Sequence, residues 1–113
     1  MEKNIIENEI KELLKIQYKW RNTFKSKSKA YCLLSEIAIF KHTFSTNFPH
    51  FVEHFKRNSH AEIYFTDGIS ELERYSESKL KVKDDVLFHD GLKNICYGFN
   101  SLIIDLKIEK NMN

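Results

Sequence analysis

The chain has 113 residues, enough for one domain that buries roughly two-thirds of the surface its unfolded form exposes. Three glycines and one proline are too few for a turn-rich sandwich or barrel, while nine Phe, five Tyr and one Trp assure a core. Plentiful charges of mixed sign argue against disorder, and the net charge of +2 conceals a segregation taken up below.

In chain order, the spacing predicts a first helix from about residue 4 to residue 24. Ile6, Ile10, Leu13, Gln17, Trp20 and Phe24 step by fours and threes, which stacks them on one face. Glu2, Glu7 and Glu9 suit the positive end of its dipole, and Lys19, Arg21 and Lys25 suit the other end. Lys25-Ser-Lys-Ser-Lys29 reads as a polar, basic connector. A second helix is expected over about 30–44, carried by Ala30, Leu33, Leu34, Ile37, Ala38, Phe40 and Phe44. The clearest break is Ser45-Thr46-Asn47-Phe48-Pro49, because proline restricts the residue before it and suits the first turn of a new helix. The third helix, to about Asn58, buries Phe51, Val52 and Phe55.

Residues 59–84 admit two readings. Ala61 to Phe65 reads as a short strand ended by Thr66-Asp67-Gly68, with Lys79 to Lys83 as its alternating partner. The helical reading, preferred for 69–80, caps at Asp67, spaces Ser70 and Glu73 as a capping box and aligns Ile69, Leu72, Ser76 and Leu80. The last helix spans Asp85 to Glu109, with Phe88, Leu92, Ile95, Phe99, Leu102 and Leu106 on one seam. Gly91 and Gly98 lie on one side of it and allow another backbone to come close, unless His89-Asp90-Gly91 is a turn and the helix starts at Leu92. The expected fold is therefore mainly α: a single-domain bundle of four or five helices over residues 1–113, first and last at its centre. The alternative is α+β, with a small hairpin within 61–88.

The start, Met-Glu-Lys-Asn-Ile-Ile-Glu, has no secretory pattern. The greasiest run, Tyr31 to Phe40, is interrupted by Ser35 and Glu36 and is too short to span a membrane. A cytoplasmic protein is expected, with Cys32 and Cys96 as reduced, buried thiols whose separation matches no metal or redox motif.

Charge supplies the best functional candidate. Residues 1–12 hold four acids against Lys3 and Lys11, whereas residues 13–60 hold nine bases against Glu36 and Glu53; from 61 onward ten acids face seven bases. Within the basic part, Lys11, Lys15, Lys19, Arg21, Lys25, Lys27 and Lys29 stand against Glu12 alone, with Tyr18, Trp20 and Phe24 interleaved. Trp20 and Phe24 are assigned to the core seam and Tyr18 to the border of the cationic row. Such a row fits an acidic protein surface, or nucleic acid, whose phosphates need cations and whose bases stack on aromatic faces. On the last helix, Tyr97, Ile104 and Ile108 fall opposite Phe99 and form a candidate oligomer face, consistent with a homodimer.

Other constellations carry less. His50 and His54 share a helical face at a metal-ligand spacing, but no third ligand follows in a completing position, and the ligand order of the four-helix carboxylate–histidine oxygen carriers is absent. No metal and no cofactor is expected. Asp84, Asp85, His89 and Asp90 cluster an imidazole with acids, yet no nucleophile or phosphate-cradling loop accompanies them, and helix-start acids explain them. Arg57-Asn58-Ser59-His60 resembles the Arg-polar-His motif of the helical HEPN ribonuclease domains over four residues; the gap between Arg and His is shorter than that family uses, and no catalytic role is carried over. Catalytic residues are thus none, and an enzyme is not expected. The function expected is a small non-enzymatic binding protein of inhibitor, immunity or adaptor type that docks on or occludes an acidic macromolecular surface. The alternative is a nucleic-acid-binding accessory subunit; a membrane partner is not expected.

Overall fold

The computed structural model describes residues 2–77 and 84–112, with Asp84 and Asp85 described through their backbone alone. These residues form five helices and no strand: α1 (Glu2–Arg21), α2 (Lys27–Asn47), α3 (Pro49–Arg57), α4 (Ser59–Glu77) and α5 (Asp84–Met112). The protein is a mainly α helical bundle, 50 × 21 × 20 Å along its principal axes. Its length is that of α5, whose 29 residues extend about 44 Å at 1.5 Å per residue. The other helices are arranged about α5, with α4 making the most extensive contact and α1 the next; α2 closes over α4 and α3. So α5 is central, whereas α1 is a flank with one side open to solvent.

The α5 seam is where the periodicity puts it. Phe88, Ile95, Phe99, Leu102 and Leu106 are buried and Leu92 is half-buried. The helix runs without interruption through His89-Asp90-Gly91, which is not a turn. Its glycines serve contact instead. A Cβ on Gly91 would sit 2.8 Å from Leu72 Cγ, and one on Gly98 would sit 2.9 Å from the Phe65 ring.

Gly68 of α4 answers them: a Cβ there would meet the Gly91 carbonyl oxygen at 2.8 Å. Thr66-Asp67-Gly68 is therefore helix interior, and Gly68 has no positive φ. This overturns the strand over 61–65, the turn after it and the cap at Asp67. Ala61, Phe65, Gly68 and Leu72 instead step by fours and threes along the buried face. The start of α4 is set by Asn58, whose Oδ1 accepts from the Ala61 amide at 3.0 Å while its Nδ2 donates to Ser101 Oγ and Asp105 Oδ2 on α5. Ser70 and Glu73 lie mid-helix, where a capping box has no orphan amides to satisfy. The proposed partner strand at Lys79 to Lys83, with Leu80, lies outside the described residues.

Two other boundaries differ from expectation, each for a local reason. After Arg21 the chain leaves the helix: Thr23 donates to the Trp20 carbonyl from both its amide and its hydroxyl, and Asn22 Nδ2 donates to the Tyr18 carbonyl. Phe24 thus falls past the end of the seam and is 75% exposed, a correction to its place in the core. Ser26 of the expected connector is an N-cap accepting from the Lys29 amide at 3.1 Å, so α2 begins at Lys27.

Phe48, which precedes α3, has no side chain able to cap it. Glu9 of α1, 4% exposed, does so from outside: its two oxygens accept from the His50 and Phe51 amides at 3.2 and 3.0 Å. A carboxylate at the positive end of a helix satisfies two orphan donors at once. Beneath it the aromatic core gathers around Phe99, whose ring lies 5.2 Å from that of Phe65 and 5.3 Å from that of Trp20, both edge-on. Gln17 adds a polar link between α1 and α5, donating to the Cys96 carbonyl and Asn100 Oδ1.

Candidate functional site

The cationic residues read from the sequence come to the solvent side of α1 and to the α1–α2 corner. Lys11, Lys15, Tyr18, Lys19 and Arg21 are exposed on α1, and Lys25, Lys27 and Lys29 are exposed at the corner and the start of α2. Lys15 meets Glu12 at 3.2 Å, a pair too exposed to hold either side chain by more than about 1 kcal/mol. The Arg21 guanidinium lies 5.5 Å from the centre of the Tyr18 ring, which is 63% exposed.

Glu36 of α2 fixes the corner. One of its oxygens accepts from Trp20 Nε1 at 3.0 Å and the other lies 3.1 Å from Lys19 Nζ. A shallow hollow of about 360 Å³ follows, lined by Lys19, Phe24, Lys29, Cys32 and Glu36 among others. The exposed Phe24 ring stands at its edge.

The charge at the start of α2 runs against the ordinary helix rule. The N-terminus of a helix carries about half a positive charge and favours acids nearby. The first turn of α2 has no acid, and lysines stand at 25, 27 and 29 around it. Helix dipole and side chains therefore add to one another, concentrating positive potential beside an apolar ring. The sequence pattern pointed to the lysines; it missed Phe24, because the seam spacing continues one step beyond the true helix end.

The remaining candidates fall elsewhere. His50 and His54 do share a face of α3, and both point at one carboxylate of α5: His50 Nδ1 is 2.9 Å from Glu109 Oε2, and His54 Nε2 is 2.6 Å from Glu109 Oε1. The two rings approach separate oxygens of one carboxylate, so the arrangement fastens α3 to the end of α5. Among the described residues no group of three or more His, Cys, Asp or Glu is placed to hold a metal ion. Arg57 is exposed and lies 4.0 Å from Glu53, and His60 is exposed at the start of α4; between them Asn58 is committed to capping. His89 and Asp90 are exposed, and the side chains of Asp84 and Asp85 lie outside what is described.

On the outer side of α5, Tyr97, Ile104 and Ile108 are 43%, 56% and 54% exposed. The Tyr97 ring packs edge-on against Tyr64 and takes Lys93 on its face. Cys32 is exposed, contrary to the expected burial, because it lies on the outer side of α2 beside the hollow. Cys96 is half-buried, and burial pushes its thiol pKa up, with the Arg21 charge pulling the other way. Among the described residues no helix is long and apolar enough to cross a membrane. Compared with family models, curated proteins and solved structures, the chain matches none.

Proposed function

We propose that the protein is a non-enzymatic, cytoplasmic binding protein that docks the α1–α2 corner onto an acidic surface of a protein partner, in the manner of an inhibitor or adaptor. The observation that carries this is the combination at one corner of a 75% exposed Phe24 with lysines at the positive end of α2. A large apolar ring in solvent costs solubility and serves as an interface anchor, while surrounding charges steer the encounter and set its register. Lys11 and Lys15 stand exposed further along α1, Lys15 beside Glu12.

Reversing Lys15 and Lys29 to Glu tests this. Both side chains are exposed, and an acid at position 29 suits the helix dipole, so the fold is expected to persist. Association with the partner is expected to weaken mainly through a slower on-rate, more so at low salt. Unchanged association would reduce the lysines to a solvated face.

The second reading is nucleic acid, favoured by Tyr18 and Phe24 being open for stacking. Retention of any DNA or RNA at low salt, lost steeply as salt rises, supports it, and no retention removes it. Self-association through Tyr97, Ile104 and Ile108 is separable from both. A dimeric mass by light scattering that falls to monomer in Ile104→Glu supports it, and a monomeric parent protein removes it.

A further inference from the structure

A second feature lies inside the bundle, on the side of Trp20 away from Glu36. Where α2, α3 and α4 meet α1, the core leaves a gap of about 150 Å³. Its walls are mostly rings, Trp20, Phe40, Phe44, Phe51, Phe55 and Phe65. Several of these meet edge-on: Trp20 and Phe40 at 87°, Phe40 and Phe51 at 74°, Phe44 and Phe55 at 72°, with centres 5.5 to 5.7 Å apart. Between them remains a slot bounded by ring faces and edges. Its mouth opens between α2 and α4, beside Lys41, Glu62 and Thr66, all three exposed.

We propose that this slot is a binding site for one small, uncharged, planar aromatic molecule with a single hydrogen-bonding group, of the size of a phenol or an indole. An apolar cavity of about this volume accepts a benzene-sized ring. An inserted ring brings many carbon atoms against the ring walls, each contact adding a small dispersion gain. The wall offers ring faces and ring edges together, the complement of another ring's edge and face. A hydroxyl or ring N–H left at the mouth meets the Glu62 carboxylate or the Thr66 hydroxyl as acceptor, with the Lys41 ammonium as the donor for an oxygen. A charge carried on the inserted part of the ring is refused, because it would enter among rings with no buried counter-charge. This site is independent of the docking corner, although Trp20 belongs to both, with its N–H bound to Glu36 and its ring lining the slot.

The test uses 4-fluorophenol, followed by fluorine NMR and by the melting temperature of the full chain, with 2-fluoroacetamide as the non-aromatic control. Expected are a saturable fluorine shift, a melting temperature that rises with ligand concentration, and no response to 2-fluoroacetamide. Ile69→Phe, at a half-buried position lining the slot, should fill it and abolish binding while the chain remains folded. Thr66→Phe, which closes the mouth from an exposed position, gives the same answer should Ile69→Phe not fold. Absence of any saturable response up to the solubility of 4-fluorophenol overturns the proposal. Binding that survives in a folded filled or closed variant also overturns it, since the ligand would then sit elsewhere.

Discussion

The α4–α5 contact and the α1–α2 corner are built on opposite principles. At the first, glycines from both helices bring the backbones close, and the side chains that meet them, Phe65, Leu72 and Ile95, are apolar and buried. At the second, a capped turn throws Phe24 into solvent and places lysines where the helix dipole already repels them. Side chains fit closely in the first, whereas a ring and a run of cations stand in solvent in the second. A surface that keeps a large ring and several cations in solvent is the better candidate for an external partner, because an acidic partner would meet both.

The sharpest way to break this contrast is to damage the closed side. Phe99→Ala removes a fully buried ring that touches four others, and is expected to destabilise by about 3–5 kcal/mol in urea melts. A near-neutral result would misplace the centre of the core. Gly68→Val puts a branched side chain against the Gly91 carbonyl and Ile95, and should cost about 1–3 kcal/mol. Full stability there would mean that the two helices stand further apart. Glu9→Ala leaves the His50 and Phe51 amides without their acceptor, for a loss of about 1–3 kcal/mol visible as a lower urea midpoint.

On the open side the expected effect on stability is small. Phe24→Ala should change it by no more than about 0.5 kcal/mol, because the ring is in solvent, while weakening the partner complex. A large loss of stability would return Phe24 to the core.

The smallest effect concerns Cys96. Burial raises its thiol pKa in the folded chain, so the unfolded chain gives up that proton first as pH rises. The stability this contributes is complete below the ordinary thiol range and is lost as pH climbs through the folded value. Cys96→Ala should therefore lose stability less steeply between neutral and alkaline pH, measured by melts at both. An identical decline in the two proteins would assign it to other groups.

How much of this was legible in the sequence depends on whether a residue's role was periodic. The seams of α1 and α5 were readable because Leu13, Trp20, Phe99 and Leu106 repeat at helical spacing over many turns, which outweighs the local turn composition of His89-Asp90-Gly91. The helicity of 61–68 was not, since Thr66-Asp67-Gly68 has the composition of a turn and only contact with Gly91 reveals why a glycine stands there. The same holds for Glu9, a helix-start acid by position whose actual work is to cap a different helix. His50 and His54 were rightly placed on one face, but Glu109, which receives both, lies more than fifty residues away and has no local signature. The lysines of the site were visible as a run. The exposed ring beside them was not, because Phe24 continues a pattern that the chain itself abandons at Asn22 and Thr23.

The central claim is that the α1–α2 corner meets an acidic protein, and photo-crosslinking in the native host tests it most directly. A photoreactive phenylalanine analogue at position 24 is compared with the same analogue at position 63, where Ile63 is also exposed, but on α4. The account predicts one discrete protein adduct from position 24, lost when Lys15 and Lys29 are reversed to Glu, and none from position 63. No adduct at 24, or an adduct indifferent to the charge reversal, would contradict it.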